Sequence, residues 1–372
     1  MNKGQKLLVI ILALIIVGGA YFVFFKKPKY QPDRQININE PGQQAEDTSP
    51  KNEGPVSPIS GLPCENWNRR PIAVMQPADV AARPAAGLSE ADIVFEIPVI
   101  TATITRLMGV YVCGNPDDVG SMRSARHDFI PIAKGLDAVF AHWGRSDIEL
   151  FKEQLNSGII DNINCNADAG KSANACPDNP CYRKEATGTM RGVDTGYAKF
   201  AKFVQCAKDF GYRMENKFSG YPHQGETPLE NRPNGGRLRI GFPGPFEVEY
   251  DYNKESNSFL RIWGNQPDKD RNTGKQPAPK NVVVMIALSE QIEGQYNNVQ
   301  LGDPWYDTSD SGDAYYYIEG KEIKGTWKKD KSKIDSKLMF YDEVGNEIKF
   351  IPGQIWVEIL EPGQALKWVP TA

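Results

Sequence analysis

Histidine and cysteine are scarce in this chain of 372 residues, positive charge has no surplus, and only one long uninterrupted apolar run occurs. Each shortage excludes something. With 43 Lys+Arg against 47 Asp+Glu the formal net charge is −4, which argues against a nucleic-acid binder, because such proteins carry a basic surplus on one face. Six cysteines are too few for a disulfide-built miniprotein, although they can still pair. The three histidines, His127, His142 and His223, are not spaced as a metal pair. A single apolar run excludes a multi-span transporter. Hydrophobic residues at 40% and charged residues at 24% are ordinary globular composition, not that of a collagen or a wholly disordered chain. There is no fixed-period repeat and no Gly-x-Ser-x-Gly elbow. Gly170-Lys-Ser172 lacks the earlier glycine of a phosphate loop. No cofactor is implied.

The apolar run, residues 7–25, is free of charge. At 1.5 Å per residue it spans roughly 28 Å, close to the ~30 Å hydrocarbon core of a bilayer. Tyr21, Phe22, Phe24 and Phe25 stand at its outer end, where aromatic rings favour the membrane interface. A cleaved signal peptide would be shorter and followed by small residues, whereas Lys26, Lys27, Pro28 and Lys29 follow here. The expectation is a retained single-pass anchor over residues 1–27. Lysines on both sides leave the positive-inside rule nearly tied, and cysteine usage favours an extracytoplasmic body at the cell membrane. Residues 28–57 are rich in Pro, Gln, Asn, Glu and Asp, and cannot bury enough surface to offset ordering. They are expected to be a disordered stalk reaching roughly 30 Å on average.

Beyond the stalk, residues 71–76, 93–97, 103–113 and 137–143 have the β-branched, Pro- and Gly-bounded character of strands. Residues 125–136, 146–156 and 194–210 have helical apolar spacing. Interleaving of the two predicts an α/β domain over 58–212. Residues 213–236, dense in Gly, Pro and Asn, read as a linker. The remainder, 237–372, shows short strands at 246–252, 258–263, 282–288, 314–319, 322–327, 337–341, 347–351 and 355–359, which predicts an all-β domain.

Several segments carry a family resemblance: Ser57-Pro-Ile-Ser-Gly-Leu, Arg70-Pro-Ile-Ala-Val-Met, the stretch from Ala82 to Glu96, Ile104-Thr-Arg106, Ser121-Met-Arg-Ser-Ala-Arg126 and Ala138-Val-Phe-Ala-His142. It returns at Tyr250-Asp-Tyr, Asn281-Val-Val-Val, Gly325-Thr-Trp-Lys328 and Gly353-Gln-Ile-Trp-Val-Glu358. These resemble the YerB-like bacterial envelope lipoproteins, whose two domains have no assigned function. The resemblance implies an anchored extracytoplasmic protein, α/β first and β second, and supplies no reaction. The chain departs from that pattern in having a hydrophobic run where the lipoproteins have a lipidated cysteine, and in its own cysteines.

Cys64 precedes one strand and Cys113 closes another; antiparallel pairing of the two would bring them within bridging distance. Cys165, Cys176, Cys181 and Cys206 fall in and after a polar segment with little core of its own, which two disulfides would stabilise. A four-thiolate zinc site is the competing reading, but the tight cysteine pairs usual for structural zinc are missing.

The sharpest polar cluster is Arg123-Ser124-Ala-Arg126, with Ser121 and His127 beside it, at the expected start of a helix. Paired guanidiniums and helix N-terminal amides both attract anions. Glu96 and Arg106 interrupt the apolar alternation of neighbouring strands, and His142 ends another. The expectation is that Glu96, Arg106, Arg123, Ser124, Arg126 and His142 face one ligand-binding cleft; the bland alternative is a buried ion-pair network. The partner would be an anionic cell-wall polymer or a wall-synthesis enzyme. In an enzymatic version, a hydrolase or transferase, Glu96 and His142 would be the acid and base, with no nucleophile identified beyond the adjacent Ser121 and Ser124. Asp268-x-Asp270-x-Asn272 begins like a calcium loop but has Pro279 where glutamate is required. Asp307, Asp310 and Asp313 form a second acidic loop, and Trp305-Tyr306 is the aromatic pair most expected to be exposed.

Overall fold

Ten strands, five from each half of the chain, make one continuous sheet. The structure is a computed structural model that describes residues 54–100, 104–146, 149–293, 296–304 and 309–371. The apolar run at 7–25 and nearly all of the stalk lie outside the described residues. Among the described residues no helix is long and apolar enough to cross a membrane.

In chain order the first half supplies β1 (Ile72–Pro77), β2 (Ile93–Ile100), β3 (Ile104–Tyr111), β4 (Asp118–Gly120), β5 (Val139–His142), β6 (Asn162–Asn164), β7 (Cys181–Arg183) and β8 (Gly196–Lys199). The second half supplies β9 (Gly235–Ile240), β10 (Val248–Asn253), β11 (Ser258–Trp263), β12 (Gln266–Pro267), β13 (Asn281–Ile286), β14 (Ser289–Glu293), β15 (Tyr296–Val299), β16 (Ser311–Ile318), β17 (Lys321–Lys328), β18 (Met339–Asp342), β19 (Ile355–Leu360) and β20 (Leu366–Thr371). Three α-helices among the described residues, α1 (Phe129–Gly135), α2 (Glu149–Asn156) and α3 (Phe200–Asp209), all come from the first half. The body is therefore mostly β.

The large sheet runs β18-β17-β16-β13-β19-β2-β3-β1-β5-β6, and a five-stranded sheet runs β12-β11-β10-β9-β20. The two halves expected as separate domains are joined where β19 pairs in parallel with β2, from Ile355 opposite Ile93 to Glu358 opposite Glu96. A sequence reading sees strands in both halves but not this pairing, because the partners are more than 250 positions apart. Central strands are covered on both faces, which is why they read as continuous apolar runs rather than alternating ones. On one face Ala73, Met75, Phe95 and Ile97 pack with Phe129, Ile132, Phe151 and Leu155 of α1 and α2. On the other, Ile72, Val74, Val94 and Leu107 pack with Phe200 and Phe203 of α3 and with Leu238, Val248 and Phe259 of the smaller sheet.

Two expectations of local structure need correction here. The helix expected over 194–210 starts only at Phe200, because residues 196–199 form β8, which pairs with both β4 and β7. Residues 347–351 form no strand and make only isolated bridges, Glu347 with Tyr341 and Phe350 with His223. The linker over 213–236 packs on the body: Tyr221 is buried edge-on against Phe350, ring centroids 5.6 Å apart, and the Gln224 amide donates to the Phe350 carbonyl.

All six cysteines pair, as Cys64–Cys113, Cys165–Cys181 and Cys176–Cys206. The first follows from β1 and β3 being antiparallel neighbours. The other two tie the polar excursion between β6 and α3 to the body. Closing a loop of 16 residues restricts the unfolded chain, so replacing Cys165 and Cys181 by serine should cost about 3 kcal/mol, read as a lower urea midpoint.

Candidate functional site

Period-two geometry separates the candidates. Cross-strand partners share a face of a sheet, and a one-residue offset moves a side chain to the other face. Glu96 is opposite Leu107, and Arg106 is opposite Ile97. Glu96 and Arg106 therefore point to opposite faces and cannot share a cleft.

Glu96 points between the two sheets and is fully buried. Arg261 of β11 donates to it, and Thr105 donates to its other oxygen at 2.5 Å. Arg261 also pairs with Asp268, itself held by Arg83 at 2.8 Å, and lies 3.9 Å from Glu358. The Tyr250 hydroxyl donates to Glu358. This is the buried ion-pair network, with a central cation that a reading focused on the first half did not identify. Glu358 was visible only as part of a resemblance motif.

His142 lies on the α1 face of the sheet, buried against Phe140, with Nδ1 2.7 Å from the Gly144 carbonyl. Burial pushes its imidazole down to about 4. It does not line the cavity described next, so the acid–base pair Glu96 and His142 is not assembled: the two side chains belong to opposite faces of the sheet.

The other four candidates do converge. Arg106, Arg123, Ser124 and Arg126 line a cavity of about 370 Å³, together with Asp79, Trp143, Arg183, Arg191 and Tyr296. Its volume lies in the roughly 300–1,000 Å³ range of small-molecule sites. Contrary to expectation, the arginines of segment 121–128 do not stand at a helix N-terminus, because α1 starts only at Phe129. They stand on a loop pinned across two strand ends. The Arg123 amide donates to the Met75 carbonyl, the Ala125 amide to Gly144, and the Trp143 amide to Arg123. Gly144 turns with φ +80°, a conformation that favours glycine.

The opposite wall is the β7–β8 connection, whose Arg183, Arg191 and Val193 had no local signal to mark them. Asp194 is the pin. It accepts from Arg123 and from Arg191 Nε at 2.8 Å, and Arg123 also donates to the Val193 carbonyl. Burial alone would raise the Asp194 carboxyl, but hydrogen bonds from Arg191 and Arg123 hold it down at about 2. Arg183 stacks over the Trp143 ring at 4.7 Å, and Gly196 permits that ring to lie close, since a Cβ there would meet it at 2.8 Å. Tyr296, from the second half, lies under Arg126 with the guanidinium 4.3 Å from its ring centre.

The charge is unbalanced. Among the described residues the lining carries five arginines and one carboxylate, Asp79, and Asp79 lies 3.5 Å from Arg123 and 3.3 Å from Arg191. Arg106 is only 8% exposed and donates from Nη1 to the Ser124 carbonyl at 2.6 Å. Its Nε is buried without a hydrogen-bond partner, and it makes no ion pair among the described residues. Burial, then the neighbouring charges of Arg126 and Arg123, push its guanidinium well below the ordinary arginine value. Ser121 is buried beside Arg123 at 3.3 Å.

The calcium-like segment is committed elsewhere. Asp268 serves Arg83 and Arg261, and Asp270 accepts from the amides of Ser89 and Asn272 at 3.0 and 2.8 Å. The Trp305-Tyr306 pair and Asp307 lie outside the described residues.

Two family descriptions match the chain: the N-terminal domain of DUF3048, a protein of unknown function, over residues 59–213, and the DUF3048 C-terminal domain over 238–357. The chain belongs to this YerB-like family. It is 28% identical over 309 residues to the Bacillus subtilis (strain 168) protein named "Putative lipoprotein YerB", covering 82% of this chain and 86% of that one. The crystal structure of the Bacillus subtilis YerB protein has the same fold, with a TM-score of 0.69 at 25% identity over 84% of this chain and 99% of that one. The family has no assigned reaction.

Proposed function

We propose that this is an anchored, extracytoplasmic envelope protein that binds an anionic cell-wall component in its arginine-lined cavity without catalysing a reaction on it. The observation that carries the reading is Arg106. A buried guanidinium crowded by two others, with no ion pair among the described residues and only the field of Asp79 to offset it, is an expensive arrangement for a fold to keep for stability alone. It becomes favourable when an anion enters, because guanidiniums grip carboxylate or phosphate oxygens in bidentate fashion. The likeness to a protein named as a lipoprotein supports the envelope location.

Arg106→Met separates binding from structure, since methionine keeps much of the buried stem and removes the charge. Full-length protein in detergent should co-sediment with purified sacculi, and the variant should lose at least tenfold in retention. Its melting temperature without ligand should be unchanged or raised, because the substitution removes like-charge repulsion. A clear fall in melting temperature with retention intact would make Arg106 a structural residue and overturn the reading.

A further inference from the structure

We infer that the anion this cavity takes is the doubly charged phosphoryl group of a phosphate monoester whose other substituent is apolar. The inference rests on the binding reading above and names its ligand class. Charge is the first argument. Arg106, Arg123 and Arg126 crowd one another closely enough to depress Arg106, and the nearest lining carboxylate, Asp79, is shared between Arg123 and Arg191. A carboxylate or sulfate ester brings one negative charge to this group. A phosphate monoester brings nearly two at neutral pH, and three terminal oxygens that accept hydrogen bonds.

Donor supply is the second argument. Beside the Arg106 Nε, which is buried without a hydrogen-bond partner, half-buried Ser124 lines the same cavity, and its carbonyl accepts from the Arg106 Nη1. A guanidinium and an adjacent hydroxyl on one stretch of wall, with Arg123 and Arg126 beside them, can reach several oxygens of one tetrahedral oxyanion. The third argument is the apolar part of the wall. Val99, Ile100 and Ile104 from the β2–β3 hairpin, with Met122 and Val193, line the same cavity. Their side chains can cover a short hydrocarbon group.

The test is isothermal titration of full-length protein in detergent with hexyl phosphate, hexyl sulfate, hexanoate, inorganic phosphate and glucose 1-phosphate. Hexyl phosphate should bind at least tenfold tighter than each of the others at pH 7.5. Its affinity should fall severalfold between pH 7.5 and 5, as the phosphate dianion takes up one proton with a pKa near 6, while that of hexyl sulfate should not. Arg106→Met should abolish the preference. If hexyl sulfate or hexanoate binds as tightly and needs Arg106, the phosphoryl assignment falls and the anion-binding reading stands. Equal binding of glucose 1-phosphate overturns the apolar substituent. If none of these anions binds, or if Arg106→Met binds them unchanged, both the assignment and the reading beneath it fail.

Discussion

Arg261→Met is expected to cost roughly 3–5 kcal/mol at pH 7, the usual penalty for removing one partner of a buried ion pair. Arg261 is fully buried between the two sheets and serves Glu96 and Asp268 directly. Its guanidinium also lies 4.3 Å from the Trp356 ring centre. Methionine fills much of the volume but leaves Glu96 without a cation. Asp268 keeps Arg83. An uncompensated buried carboxylate takes up a proton more readily than a free one, so the variant should regain part of its loss as pH falls from 8 to 5. Urea unfolding at several pH values checks this. A variant as stable as the wild type at pH 7, or one that regains stability on the alkaline side, would show that the network does not hold the sheets together as described.

Glu358 supplies the second large effect. Glu96 and Glu358 are register partners on adjacent strands, and with Asp268 they make three carboxylates around two guanidiniums, Arg261 and Arg83. One carboxyl has no charge to balance. Burial first, and the Glu96 charge second, push the Glu358 carboxyl up to about 8 from its ordinary 4.5. Between those two pH values the folded protein keeps a proton that the unfolded chain has released. Stability from this group is therefore fully present at low pH, falls as pH rises through that window, and stops changing once both states are ionised. Glu358→Gln holds a neutral group there at every pH. Its stability relative to wild type should increase steadily from pH 5 to pH 8, by a few kcal/mol in total. His142, held down at about 4 by burial, works in the opposite direction in both proteins and cancels in the comparison. A difference that stays flat between pH 5 and 8 would mean that Glu358 is ionised in the native state.

Much of the architecture was legible because it is written locally. Strands such as 93–97 and 355–359 announce themselves by β-branched residues with Gly or Pro nearby, and 258–263 by the polar hairpin turn at 253–257 that precedes it. The Cys64–Cys113 bridge followed from the order of two strands. The polar interruptions at Glu96 and Arg106 were also visible, and both are sites where charge is buried. Their grouping was not. Whether a charged residue in a strand joins its neighbour or turns away depends on register, and a shift of one residue decides it. The counter-ion of Glu96 comes from position 261 and the far wall of the cavity from positions 183 to 193, where no local pattern distinguishes an arginine that lines a site from one that faces water.

By itself the sequence determined the absence of a basic surplus, the YerB-like membership, the strand-rich second half, the arginine cluster at 123 and 126 and the set of cysteines available to pair. Only the tertiary structure decided that the two halves share one sheet, that Glu96 belongs to a sealed ion network while Arg106 opens into a cavity, and that Arg183, Arg191 and Tyr296 complete that cavity. The physical reason is the range of the interactions. Propensity, turn chemistry and apolar spacing act between near neighbours in the chain, whereas ion pairs and cavities are set by groups that meet only after register and sheet order are fixed.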